Sequence, residues 1–265
     1  SPSDPMDEPE KGGIERPIAD KPEDLEAGDA EVAERFITLG SVDPDDPFRM
    51  LVTLTSQGAA IRRLELASPR FRDLENRSGY LGHIEAIDAP NNGGAEARVV
   101  GDGTPAALAG MRIGDVIVEA GNRQIENVED FRLAIARTRP GGKLVITVNR
   151  EGNPVTLEAE LIRMPLAVMR PEIENLKMRN AQIPADFETK WNLPSLLLTL
   201  ERIDKQTIAH NESELPGVDL RDGNWEVAAS TQTEAVFRRE LREHGLEIVK
   251  RYRLEKISAR NLRKP

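Results

Sequence analysis

The sequence predicts a mainly β protein in which a partial β-sandwich is interrupted by a smaller α+β module. Three observations support this fold class. Apolar and polar residues alternate over residues 48–55, as in a strand with one buried face. Short strand patterns and two helical patches alternate between residues 79 and 162, and strand patterns return after residue 224. The expected parts are a tether at residues 1–35, a discontinuous sandwich at 36–77 and 165–265, and the module at 78–164.

The tether is acidic and rich in proline. It holds twelve acids against four bases, a net charge of −8, and five prolines. Such a segment buries too little apolar surface to offset its ordering entropy, so we expect it to be disordered. An acidic binding arm is the alternative. Since the whole chain carries −10, the rest is nearly neutral. A general nucleic-acid binder needs a clustered cationic surface, so we do not expect one.

Residues that carry enzyme chemistry are scarce or isolated. The chain has no cysteine, which excludes thiol catalysis, thiolate metal sites and disulfides. His83, His210 and His244 stand in unrelated contexts, with no partner at metal-ligand spacing. No serine lies in a Gly-x-Ser-x-Gly motif. We therefore predict no enzyme, no metal site and no cofactor.

The sandwich strands are expected on both sides of the module. Residues 48–55 and 60–66 flank a break at Gln57-Gly58 and predict a β-hairpin. Later strand patterns cover residues 225–228, 235–241 and 246–254, with a turn at Glu243-His244-Gly245. Between the module and these strands, a proline-broken segment is expected to hold a short helix around residues 172–179.

The module has its own strands and helices. Its strand patterns cover residues 83–87, 97–100, 115–120, 143–149 and 155–161. Helices are expected at residues 105–110 and 128–137. In the second, Val128, Phe131 and Ile135 recur at helical spacing, and Glu129 and Asp130 lie in the first turn, where the macrodipole favours acids.

One long motif in the module carries a family resemblance. Ser78-Gly79-Tyr80-Leu81-Gly82-His83-Ile84 is followed by Gly103-Thr104-Pro105-Ala106-Ala107-Leu108-Ala109-Gly110-Met111-Arg112-Ile113-Gly114-Asp115-Val116-Ile117. This constellation resembles a PDZ domain of the bacterial HtrA-protease type. Asn122-Arg123-Gln124-Ile125 before the second helix agrees with it. The protease domain of that family and its serine do not accompany the motif.

The resemblance implies a groove for C-terminal or extended peptides. The loop Tyr80-Leu81-Gly82-His83 would offer backbone N–H groups to a terminal carboxylate, and Gly82 would allow close approach. The strand at residues 83–87 would accept the peptide as an added strand. The side-chain pocket would be lined by Leu81, Ile84, Phe131 and Ile135. The alternative is that Leu81, Phe131 and Ile135 are simply core residues.

The flanking segments resemble a second family. Arg35-Phe36-Ile37-Thr38-Leu39-Gly40-Ser41, Pro47-Phe48-Arg49-Met50-Leu51-Val52-Thr53-Leu54-Thr55 and Arg63-Leu64-Glu65-Leu66 look like the first strands of the periplasmic domain of YidC-type membrane protein insertases. Gly245-Leu246-Glu247-Ile248-Val249-Lys250-Arg251-Tyr252-Arg253-Leu254 is similar to a later strand of that domain. The resemblance implies a partial β super-sandwich interrupted by the PDZ domain. It also implies that the tether follows a membrane helix.

Together the two resemblances predict a periplasmic portion of a membrane protein insertase, at the face of the inner membrane. It would assist membrane protein insertion and folding, and the PDZ module would dock client or accessory peptides. The longest apolar stretch, residues 193–200, is far shorter than the roughly 20 residues of a membrane span, so we expect this portion to be soluble. One alternative is a free-standing periplasmic PDZ adaptor that presents peptides to a protease. A sugar-binding or mutarotase-like enzyme is a weaker alternative, because similar sandwiches host both.

Overall fold

The structure is a computed structural model and describes residues 33–90, 93–171, 193–209 and 214–257. Strands predominate in these ranges, so the prediction of a mainly β fold is confirmed. Residues 1–32 of the tether predicted at 1–35, and the predicted helix at 172–179, lie outside the described residues. Within them, no helix has the length and apolar character required to cross a membrane.

A four-stranded antiparallel sheet forms the first layer of the host. Its order is β1 (Phe36–Gly40), β2 (Met50–Thr55), β3 (Ala60–Leu66) and β12 (Ala167–Met169). The predicted hairpin is therefore confirmed as β2 and β3. It turns at Gly58, whose φ of 62° lies in the left-handed region that glycine adopts without strain. Since β12 comes after the module and β3 before it, this sheet joins the two host segments.

A three-stranded antiparallel sheet forms the second host layer. Its order is β15 (Glu226–Ser230), β16 (Glu234–Leu241) and β17 (Leu246–Arg253). A 3₁₀ turn at Arg242–His244 and a left-handed Gly245 join the last two strands, as the Glu243-His244-Gly245 pattern predicted. A small hairpin, β13 (Arg202–Ile203) with β14 (Gln206–Thr207), lies between the two host sheets in the sequence.

The two host sheets share one apolar core. Trp225 and Phe237 are fully buried at its centre. The Trp225 indole Nε1 donates to the Leu220 carbonyl at 2.9 Å, which satisfies its polar group. The Phe237 ring meets Tyr252 edge-on, with ring centroids 6.0 Å apart. Residues of both sheets contribute to the same cluster, including Ile37, Leu39, Val52, Leu54, Ile61, Ala235 and Leu241.

The inserted module holds one larger sheet, a short strand pair and two helices. The sheet runs β10 (Asn153–Glu160), β9 (Lys143–Arg150), β7 (Val116–Ala120), β6 (Ala95–Ala97) and β5 (Ala86–Asp88), and β8 (Arg123–Gln124) pairs with β7. The separate pair is β4 (Gly79–Tyr80) with β11 (Ile162–Arg163). The helices are α1 (Pro105–Leu108), capped by the Thr104 side chain, and α2 (Val128–Ala136), capped by Asn127.

The strands before α1 differ from the sequence prediction. The strand expected at residues 83–87 is Ala86–Asp88, and the strand expected at 97–100 is Ala95–Ala97. Arg98 still donates to the Glu85 carbonyl, and after it the chain turns toward the host. The Val42 amide of the host donates to the Asp102 carbonyl at 3.2 Å.

The module packs on the free face of the four-stranded host sheet. Leu51 is buried on that face, and a Cβ added at Gly101 of the module would overlap its side chain. Gln232 of the second host layer reaches Asp102, with Nε2 to Oδ2 at 3.0 Å. The chain enters and leaves the module through neighbouring segments, since Arg72 and Pro165 form an antiparallel bridge. The four-stranded sheet therefore lies between the module and the second host sheet.

Candidate peptide-binding groove

The loop predicted to bind a carboxylate begins where β4 ends. Residues 81–85 follow Tyr80 without regular secondary structure. Gly82 has φ 143°, outside the usual range of residues that carry a side chain. A Cβ there would also lie 3.1 Å from the Thr104 side chain. The sequence needs glycine at this position for both reasons.

Two adjacent amides of this loop are free. Among the described residues, neither the Leu81 nor the Gly82 amide donates a hydrogen bond. The Leu81 carbonyl accepts from the Ala106 amide at 2.8 Å, so the loop is anchored through its other backbone group. Leu81 is buried and Gly82 is half-buried, and backbone amides without a partner are rare away from water. Successive free amides of this kind suit an anionic group such as a carboxylate.

The His83 amide, which was also predicted to face the carboxylate, is already used. The His83 amide donates to the Tyr80 hydroxyl at 3.2 Å. That hydroxyl in turn donates to Glu65 Oε2 of host strand β3 at 2.9 Å. Burial, together with the Glu65 charge, raises the pKa of Tyr80 well above its usual range, so the phenol stays neutral and keeps its proton to donate.

An unpaired strand edge lies next to the loop. Strand β5 is the last strand of its sheet in the described residues. The Arg98 amide donates to the Glu85 carbonyl at 2.7 Å, so the Glu85 backbone faces β6. Backbone groups alternate in direction along a strand, and those of Ile84 and Ala86 therefore face the opposite, open edge. An extended peptide can pair with an edge of this kind.

Helix α2 is held beside this edge at both of its ends. The Val128 amide, at its start, donates to Asp88 Oδ1 of β5 at 2.7 Å. Beyond its end, Thr138 Oγ1 accepts from the Gly79 amide of β4 at 3.1 Å. The loop, the edge and the helix are thus fixed relative to one another. A shallow pocket of about 510 Å³ lies at the Asp88 end, lined by Asp88, Glu126, Asn127, Val128, Glu129 and Arg132.

The predicted apolar pocket residues divide into two groups. Leu81 and Phe131 are only 2% and 5% exposed and belong to the module core. Ile84 and Ile135 are half-buried and pack at the margin of that core. The residues of this set that a bound peptide could reach directly are therefore Ile84 and Ile135. That the groove binds a peptide remains a prediction.

Host side chains reach the groove segment, which the sequence did not predict. Arg62 Nε and His83 Nε2 each lie 3.2 Å from Glu85 Oε1. Burial raises the pKa of Glu85, but the hydrogen bonds and charges of His83 and Arg62 outweigh it and lower that pKa to about 2. Glu65 is fully buried on the same strand as Arg62. Arg62 and Glu85 are 23 residues apart in the chain, so no local sequence pattern indicates that they form a pair.

The comparisons with known proteins agree with the module's geometry. A family model described as PDZ domain matches residues 70–161. The serine endoprotease DegS of Haemophilus influenzae is 31% identical over 84 residues, which cover 30% of this chain and 25% of that protein. A probable periplasmic DegP-like serine endoprotease of Chlamydia trachomatis is 33% identical over 100 residues, covering 38% of this chain and 20% of the relative. The module is a PDZ domain of the HtrA type.

A solved structure of the HtrA-type protease AlgW with a decapeptide is also similar. It is 32% identical, with a TM-score of 0.30, and the match covers 34% of this chain and 30% of that one. Of the two curated endoproteases, the matched part of this chain covers a quarter of the length or less. The PDZ family model covers residues 70–161, and the strands of the two host sheets lie outside that range.

Proposed function

We propose that this chain docks peptides by their free C-terminal carboxylate and catalyses no reaction itself. The observation that carries the proposal is the pair of free amides at Leu81 and Gly82, next to the open edge of β5. The carboxylate would accept from the two amides, and the peptide backbone would pair with Ile84 and Ala86. Its terminal side chain would lie against Ile135. An apolar terminal residue suits that contact.

We further propose that the host is the periplasmic portion of a YidC-type membrane protein insertase, in which the PDZ module docks client or accessory chains. The motifs similar to that family form β1, β2, β3 and β17, which are strands of two sheets around one core. The resemblance of those strands supports the insertase, and the periplasmic location follows from it. The name of the Chlamydia trachomatis relative supports the same compartment.

The second candidate is a free-standing periplasmic PDZ adaptor that presents peptides to a protease. It is favoured by the similarity to HtrA-type serine endoproteases, which for DegS covers 30% of this chain. The full-length gene distinguishes the two candidates. Five further apolar segments of about 20 residues downstream support the insertase, and a chain that ends without them supports the adaptor.

Fluorescence anisotropy with labelled peptides tests the docking activity. Peptides that end in an apolar residue should bind with a Kd of roughly 1 μM, which is about 8 kcal/mol. Amidation of the C-terminus removes the charge that the two amides would bind, and should weaken binding at least about tenfold. Gly82→Ala should have a similar effect because of its φ and its contact with Thr104. Equal binding of the acid and the amide would refute a carboxylate site.

A further inference from the structure

A chain of buried polar groups connects host strand β3 with the carboxylate loop. Arg63 Nε lies 3.2 Å from Glu65 Oε1, and Glu65 Oε2 accepts from the Tyr80 hydroxyl at 2.9 Å. The same hydroxyl accepts from the His83 amide at 3.2 Å. Arg63, Glu65 and Tyr80 are all buried. The loop is therefore closed by a hydroxyl whose own orientation is set by a host carboxylate.

We propose that Glu65 is a positioning residue for the peptide site, so that the host sandwich sets the affinity of the PDZ groove for a carboxylate. The inference rests on the proposed docking function. Glu65 touches no ligand in this arrangement and acts through Tyr80. Because the Tyr80 hydroxyl donates its hydrogen bond to Glu65, its lone pairs are left to accept from the His83 amide. The turn that presents the Leu81 and Gly82 amides is thereby fixed.

A second host contact holds the other end of the same segment. Arg62 lies three residues before Glu65 on β3, and its Nε is 3.2 Å from Glu85 Oε1. The groove segment from Tyr80 to Glu85 is thus attached to one host strand at both ends. Hydrogen bonds to a charged group are stronger than neutral ones, and a preorganised loop binds its ligand at lower entropic cost. Thermodynamic linkage makes this coupling reciprocal. If the host contacts strengthen peptide binding, a bound peptide strengthens the contact between module and host by the same factor.

The experiment compares variants of the entire 265-residue chain. Glu65→Gln removes the charge, and Tyr80→Phe removes only the hydroxyl. Glu214→Gln is the matched control, because that host carboxylate accepts from the Leu220 and Arg221 amides at 3.0 and 3.2 Å and belongs to another part of the host. The first readout is the ratio of the Kd of the amidated peptide to that of the free acid. The second is amide hydrogen exchange at residues 81–85.

Both test variants should lower the Kd ratio about tenfold, the size of one charge-assisted hydrogen bond, and speed exchange at His83. The control should lower the unfolding midpoint while leaving both readouts at wild-type values. A wild-type Kd ratio that persists in the folded variants overturns the inference and leaves the docking function standing. If the wild type binds neither peptide, the docking function fails. Hydrogen exchange then tests the positioning role by itself, and unchanged exchange at residues 81–85 in Tyr80→Phe overturns it. Should Glu65→Gln not fold, Tyr80→Phe alone gives the answer.

Discussion

Arg150 donates two hydrogen bonds of 2.7 Å to the carboxylate of Asp115, one from Nε and one from Nη2. The same guanidinium also bonds the Gly110 carbonyl at 2.7 Å, just after α1. Asp115 is 1% exposed and accepts a further bond from the Arg112 amide at 2.8 Å. Burial raises the pKa of Asp115, but these bonds outweigh it and lower that pKa below its usual range. Asp115, the aspartate of the Gly114-Asp115 step in the PDZ motif, therefore has a structural role. Through Arg150 it connects the start of β7 with the end of β9 and the end of α1.

Asp115→Asn should destabilise the module by about 3 kcal/mol, since it leaves Arg150 without a buried charged partner. The control is Lys143→Ala, which breaks an ion pair with Glu158 of similar length, 2.6 Å, between side chains that are 68% and 56% exposed. That loss should be much smaller than the loss from Asp115→Asn, because exposed ion pairs contribute little to stability. Urea denaturation measures both. Equal effects of the two variants would contradict the structural role of Asp115.

Ile135→Lys should abolish peptide binding and leave the protein folded, because Ile135 lies half-buried at the margin of the core beside the open edge. Leu133 offers a matched control on the same helix, with 42% of its side chain exposed. Leu133→Lys should bind as the wild type does. Anisotropy measures binding, and circular dichroism checks the fold. Full binding by Ile135→Lys would move the side-chain pocket away from α2.

Trp225→Ala should destabilise the host by about 3–5 kcal/mol, as for other large core side chains. The side chain is fully buried and its indole bonds the Leu220 carbonyl. Val249→Ala on β17 is the control, because Val249 is half-exposed and its loss should cost little. Denaturant unfolding followed by near-ultraviolet circular dichroism separates the two. A small effect of Trp225→Ala would mean that the two host sheets do not share this core.

Stability should fall in acid partly through Glu85. Its pKa is about 2 in the folded chain, below the ordinary value of 4.5. The contribution of its bonds to His83 and Arg62 is therefore complete above about pH 4.5 and is lost as the pH falls toward 2. We expect roughly 2 kcal/mol from this group, allowing for partial exposure. Glu85→Gln should flatten that part of the curve of unfolding free energy against pH, and an unchanged curve would contradict the assignment.

Local signals predicted much of the fold. The alternation around Met50 and Leu54 gave the hairpin, and the spacing of Val128, Phe131 and Ile135 gave α2 within one residue. These elements are determined by periodicity, caps and turn residues that are close in the chain. The PDZ motif, a run of turn and packing residues at fixed spacing, located the module and its loop.

The host contacts of the groove could not be predicted in this way. Glu65 alternates along β3 as an exposed residue would, yet it is fully buried and accepts from Tyr80 of the module. Leu81 was expected in the pocket wall or, as the alternative, in the core, and the loop places its side chain in the core. Residues 83–85 were expected in a strand, yet the regular strand begins only at Ala86. Of the three, Glu85 accepts a backbone hydrogen bond, from Arg98. In each case a distant segment decides the outcome.

The pairing of β3 with β12 affects the order of folding. Glu65 pairs with Ala167, although roughly one hundred residues lie between them. Closing an unstructured loop of that length costs entropy that grows with the logarithm of its length. Once the module has folded, Arg72 and Pro165 are adjacent, and the span to be closed shrinks to a few residues on each side. Refolding kinetics should therefore show the module first, with completion of the four-stranded host sheet as the later phase.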